Sequence, residues 1–218
     1  MAGLSRERQL IESAVSYALA GAGIATPGLL PCPTPCPGWD LDMLLDHLSD
    51  SIGAVHEAIA AGVPGAGPAP PGDPGPWPAP VARLRGQAAR LLDACDARPA
   101  GRRVAIGDRE LTTRMVAVTA AIEITVHGWD IWVSCSARRP VPPVPHGLAA
   151  ILLPIAPLLI TPATRPGLFA GPVELPGPAC PGDQLIAFLG RQPRSSWGRS
   201  WPGELRQGHH AVADNSPN

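Results

Sequence analysis

Glu123 and His127 stand four residues apart in AAIEITVHGWD, residues 120–130. On a helix, that spacing puts both side chains on one side, about one turn apart. A carboxylate beside the apolar Ile122, Val126 and Trp129 is costly to bury in its ionised form unless something compensates it. A metal ion would do so, and a hydrogen-bonded pair at the edge of the apolar stripe is the plainer alternative. His47, in LLDHLSDS, borders a second apolar stripe, one turn from Leu44 and next to Leu48. If its helix neighbours the one carrying the pair, His47, Glu123 and His127 make a two-histidine, one-carboxylate set with coordination positions left open. An open set suits catalysis, because a structural zinc site closes all four positions. The other reading of His47 is a satisfied histidine at the edge of a helix bundle.

Further residues carry smaller claims. Asp130, three residues after His127, either orients a ligand imidazole or remains a solvated carboxylate. Arg191, in AFLGRQP, meets an anionic substrate or thiol cofactor if its helix folds back over the metal, and otherwise makes a surface ion pair. Asp46 points away from His47 toward solvent, and Asp40 and Asp42 offset the positive end of the helix they open. Cys32 and Cys36, in CPTPC, lack a second cysteine pair to complete a zinc knuckle and read as structural thiols. Trp39, Trp129 and Trp132 read as packing residues, one of which could wall a pocket. His209 and His210 fall in the C-terminal tail, where they could hold adventitious metal.

The elements that must position these residues are legible as apolar periodicities. Leu10, Ile11, Ala14, Val15, Ala18, Leu19 and Ala22 follow helical spacing. So do Leu41, Leu45, Leu48, Ile52, Val55 and Ile59, over about Leu41 to Ala61, with Asp40 as N-cap and Gly62 as stop. A third stripe holds Val81, Leu84, Ala88, Leu91 and Cys95. A fourth holds Met115, Val118, Ile122, Val126, Trp129 and Val133. Four stripes of similar length predict an all-α, up-down four-helix bundle. Residues 62–80 hold 13 Pro or Gly in 19 positions and read as an extended loop. RRVAIGDRELT, residues 102–112, reads as a short hairpin around Gly107 and Asp108 before the fourth helix. A Pro-rich extension follows the bundle, with the apolar run GLAAILLPIAPLLI (147–160) as a core segment and PGDQLIAFLGRQP (181–193) as a short helix ending near Gly190. Residues 1–193 therefore form one domain, and 194–218 read as a disordered tail.

Composition bounds the function. Net charge is −1, and all 17 basic residues are arginine, so the basic footprint of a nucleic-acid binder is missing. The 29 prolines and 24 glycines, with no lysine, fit a compositional bias that weakens the meaning of any isolated Pro or Gly. Five cysteines, an odd number, point to a reducing compartment, and the reading is cytoplasmic. Arg6, Glu7 and Arg8 interrupt any signal-peptide core. The 147–160 run is shorter than the ~20 residues of a spanning helix and holds two prolines, so no membrane role is expected. No G-x-S-x-G elbow and no glycine-rich phosphate loop occurs.

Three stretches together, PTPCPGWDLDMLLDHL (33–48), EITVHGWDIW (123–132) and AFLGRQP (187–193), resemble the DinB-like superfamily, and specifically metal-binding proteins similar to the N-terminal domain of mycothiol-dependent maleylpyruvate isomerase. The resemblance runs over about residues 10–193. It implies a four-helix bundle holding a divalent metal, usually zinc, through His47, Glu123 and His127, and it implies mycothiol as the low-molecular-weight thiol. The isomerase carries an additional C-terminal domain that helps hold its thiol, and the segment after the bundle here is too short and Pro-rich to be an obvious equivalent. Zinc with open positions lowers the pKa of a bound thiol or water toward neutrality. The function expected is thus a zinc-dependent, mycothiol-dependent transferase or isomerase acting on an electrophilic small molecule, as a monomer or homodimer. A thiol-independent metal-dependent hydrolase or lyase, and a non-enzymatic small-ligand-binding resistance protein, remain alternatives.

Overall fold

The computed structural model describes residues 6–60, 78–97, 103–106, 109–136 and 140–193. Four long helices dominate it: α1 (Arg6–Ala22), α2 (Leu41–Ala60), α3 (Ala79–Ala97) and α4 (Thr113–Cys135). A two-stranded antiparallel hairpin, β1 (Arg103–Ile106) and β2 (Arg109–Thr112), precedes α4, with Val104 opposite Leu111. Three short helices follow: α5 (His146–Leu152), α6 (Ala156–Leu159) and α7 (Pro181–Phe188).

Each long helix forms where its apolar stripe lies and is held by its neighbours. α1 packs along α4, α2 along α3, α2 against α4 and α1 against α3, closing a ring of four contacts. Leu41, Leu44, Leu45 and Leu48 of α2 are fully enclosed, each contributing roughly 1.5–3 kcal/mol by burial. The start of α2 is capped as its sequence implies: the Asp40 carboxylate accepts from the Met43 amide at 2.9 Å. Thr112 does the same for α4, accepting from the Met115 amide at 3.2 Å, so the hairpin hands directly into the helix.

α4 departs from the single-stripe expectation. It is buried on nearly every face, from Val116 through Val133, and Met115, counted in the stripe, is 44 % exposed. α4 is also long and apolar enough by composition to cross a membrane, with 83 % of its most apolar window buried inside the protein. Its internal polar residues return hydrogen bonds to their own helix: Thr125 Oγ1 donates to the Ala121 carbonyl at 2.6 Å and Ser134 Oγ to the Asp130 carbonyl at 2.9 Å. Gly128 explains how α1 comes so near, because a Cβ there would stand 3.0 Å from the Ala18 Cα.

The 147–160 run is only half a core segment. Leu148, Ala149, Leu152 and Ala156 are buried, while Ile151 and Leu158 face outward. The Pro/Gly loop expected over 62–80 ends sooner, since α3 begins at Ala79; its residues 62–77, the Gly62 stop, the hairpin turn at Gly107 and Asp108, and the 194–218 tail with His209 and His210 lie outside the described residues.

Candidate metal centre

α2 and α4 are neighbours, and their contact brings three side chains to one point. His47 Nε2 lies 3.1 Å from Glu123 Oε1, and His127 Nε2 lies 3.3 Å from the same oxygen. One donor atom from each of the three residues lies within 4.8 Å of the other two. Two imidazoles and a carboxylate at this separation suit a divalent metal and leave positions open for other ligands.

A loop before α2 shapes one side. Thr34 organises it, its hydroxyl donating to the Trp39 carbonyl at 3.0 Å and accepting from the Cys36 amide at 3.1 Å. The Trp39 ring centroid therefore sits 4.7 Å from that of His47, packing against an imidazole that is otherwise 38 % exposed. Trp129 is buried in the core, and Trp132 Nε1 donates to the Tyr17 carbonyl at 3.1 Å.

Behind His127 is a second layer. Asp130, fully buried, takes the His127 Nδ1 contact at 3.1 Å through Oδ2. Arg191 donates to both oxygens of that carboxylate, from Nε to Oδ1 at 3.0 Å and from Nη2 to Oδ2 at 2.9 Å. Cys36 completes the layer, its Sγ lying 3.3 Å from Asp130 Oδ2, 3.3 Å from Arg191 Nη2 and 3.9 Å from His127 Nδ1. Cys36, His127 and Asp130 also converge closely enough to hold a metal, but the guanidinium already neutralises Asp130, so a cation there would have to displace it.

Gly190 is what lets Arg191 arrive. Its φ is +81°, and a Cβ there would lie 2.6 Å from the Ala170 carbonyl oxygen. The chain turns sharply after α7 and sends Arg191 inward beneath α4. Sequence reasoning offered two roles for this arginine, an anion contact or a surface ion pair; its observed partner is the buried Asp130. Cys36 is the residue that sequence reasoning left as structural. Its one signal was its position inside the PCPGWD stretch, three residues before Trp39. Asp46, in contrast, lies outside the cluster and pairs with Arg83 at 2.9 Å.

The electrostatics follow from this geometry. Burial opposes ionisation of Glu123, but hydrogen bonds from His127 and His47 outweigh it and hold the carboxyl well below the usual carboxylate range. Burial likewise works against charge on His127, yet its bonds to Asp130, Cys36 and Glu123 raise its pKa well above the ordinary imidazole value. Asp130 is held low despite its burial by His127 and Arg191. In the metal-free protein the cluster is thus a chain of alternating charges, Glu123, His127, Asp130 and Arg191.

His47, Glu123 and His127 form one wall of a cleft of about 1030 Å³. Other walls come from α2, α4 and the segment after α6, where Ile160, Leu168 and Phe169 face the opening.

The profile described as the mycothiol maleylpyruvate isomerase N-terminal domain matches residues 19–132, just over half of the chain. The chain belongs to this family. It is a DinB-like family, and the mycothiol maleylpyruvate isomerase N-terminal domain match holds Cys36, His47, Glu123, His127 and Asp130 within its bounds. It ends before Arg191 and before the 160–170 wall of the cleft, which are contributed by the chain beyond the matched domain. No curated protein and no solved structure matched the chain significantly.

Proposed function

We propose that the protein is a zinc-dependent transferase or isomerase that uses a small thiol, mycothiol, to attack an electrophilic carbon of a small-molecule substrate. Its four long helices are read as the up-down bundle of the DinB-like fold, with the metal held by His47, Glu123 and His127. The observation that carries the reading is the convergence of one donor atom from each of these residues within 4.8 Å, on the wall of a large cleft, in a chain of this family.

The bound metal would supply Lewis acidity, lowering the pKa of a thiol that shares it. Everything else is the work of the chain's own side chains. Asp130 accepts at His127 Nδ1 and so reserves Nε2 for coordination. Arg191 fixes the Asp130 carboxylate through two bonds, which keeps the imidazole plane from turning. Trp39 packs on His47 and restricts its rotation. The apolar walls exclude water from the thiol, which favours attack on carbon over hydrolysis. No protein nucleophile is required.

The test is metal content by mass spectrometry on tag-free protein, wild type against His47→Ala and a Glu123→Ala/His127→Ala double variant, followed by turnover of model electrophiles with and without mycothiol. Near-stoichiometric zinc in the wild type, lost in both variants together with mycothiol-dependent turnover, supports the reading. Turnover that ignores the thiol transfers the assignment to a metal-dependent hydrolase or lyase. Wild type that stays metal-free after zinc loading excludes the catalytic reading and leaves a small-ligand-binding protein.

A further inference from the structure

Three features of the cleft bear on what it accepts. Its volume, about 1030 Å³, is at the upper end of the range for small-molecule sites and leaves room for an extended acceptor alongside a thiol. Its walls away from the metal-ligand cluster are mainly aliphatic and aromatic: Ile52 and Val55 from α2, Val116 and Ala120 from α4, Ile160 and Phe169 from the segment beyond α6. The third feature is charge. Among the described residues lining the cleft, Arg191 is the only arginine, and its charge is already paired with Asp130. Nε and Nη2 bind Asp130, Nη2 also reaches the Cys36 sulfur, and Nη1 lies 3.5 Å from the Leu189 carbonyl.

Maleylpyruvate, the compound in the family's name, is a dicarboxylate. A dicarboxylate needs two cationic or donor-rich subsites, and a buried carboxylate without one is strongly disfavoured. A substrate carboxylate at Arg191 would compete with the fully buried Asp130 for the guanidinium, leaving His127 alone to compensate it. Even with a divalent ion in place, the ionised Glu123 leaves that centre a single net positive charge. We infer that the cleft selects a neutral, apolar small molecule in place of a dicarboxylate. That this molecule is an electrophile rests on the proposed function; its apolar recognition rests on the cleft alone.

Binding tests the two separately. The full chain, stripped of metal with chelator, is titrated with Nile red, a neutral apolar dye, and the bound dye is then challenged with decanol or with maleate. Two rim residues that are themselves exposed, Met115 at 44 % and Leu168 at 71 %, are changed to Glu one at a time, with circular dichroism to confirm the helices. The expected result is one dye per chain, displaced by decanol and not by maleate at the same concentration. A charge placed on the apolar rim should weaken dye binding by about tenfold or more in Met115→Glu and in Leu168→Glu. Displacement by maleate at decanol-like concentrations, or dye binding indifferent to both variants, overturns the inference. Metal content measured on the same unstripped preparations separates the outcomes: absent zinc with a decanol-sensitive dye site defeats the proposed function alone, and bound zinc with no such site defeats this inference alone.

Discussion

Asp130 and Arg191 are joined by two parallel contacts, Nε to Oδ1 at 3.0 Å and Nη2 to Oδ2 at 2.9 Å, across 61 residues of sequence. The carboxylate has no solvent exposure and the arginine side chain about a tenth. Removing Arg191 leaves the buried carboxylate with His127 as its remaining counter-charge, and breaking a buried pair costs up to about 3–5 kcal/mol. Arg191→Ala should lose stability on this scale in urea denaturation of metal-free protein. Arg191→Lys should recover only part, because an ammonium cannot reproduce the two-point geometry.

His47 is a different case, since its side chain is 38 % exposed and stands at the mouth of the cluster. His47→Ala should change metal-free stability by no more than about 1 kcal/mol. Its zinc affinity should fall by more than the ~10–100-fold that losing an outer partner of a ligand typically costs. Competition with a chromophoric chelator reads the affinity, and denaturation reads the stability.

Gly190→Ala tests the turn that delivers Arg191. The residue combines φ of +81° with a Cβ position 2.6 Å from the Ala170 oxygen, so strain and clash add. A loss of about 1–3 kcal/mol is expected. Gly128→Ala should cost a similar roughly 1–3 kcal/mol by forcing α1 from α4, because the neighbour it meets is backbone as well as side chain. Thermal unfolding of both variants checks these values.

The metal-free protein should show a pH dependence of stability set by two shifted groups. His127 has its pKa raised in the folded state, so its contribution is fully present below the ordinary value of 6.5 and is lost as pH rises through the folded value. Glu123 has its pKa lowered, so its contribution is present above the ordinary 4.5 and is lost as pH falls through the folded value. Stability should therefore peak between these ordinary values and decline on both sides. Zinc affinity should instead keep rising with pH above 6.5, because coordination has to displace the proton that His127 retains. Denaturation of chelator-treated protein at several pH values measures the first trend, and calorimetry in buffers of different ionisation enthalpy measures the second. Flat stability from pH 5 to pH 9 in the chelated protein would contradict the alternating-charge network.

Much of the helical framework was legible because amphipathic periodicity is a local property. The stripes of α1, α2 and α3 were readable residue by residue, as was the Asp40 cap. α4 was readable as a helix but not as the central one: burial on nearly every face looks, in sequence, like a stripe with extra apolar residues. Met115 fitted the periodicity yet lies outside the packed interior, since spacing tells which residues share a face and not what covers that face.

The sequence by itself determined the three side chains now found together, because Glu123 and His127 are bound to one face by helical geometry and His47 marks a second stripe. Which helices adjoin is a long-range matter, and only the α2 to α4 contact brought His47 within 3.1 Å of Glu123. Of the layer behind His127, local reading reached Asp130 as one of two roles, orienting an imidazole, but not its pairing with Arg191 or the approach of Cys36. Cys36, Asp130 and Arg191 come from a loop, a helix and a turn after α7, and their pairing is imposed by burial: once Asp130 is sealed in the core, a carboxylate without a counter-ion is untenable, and the tertiary fold supplies Arg191.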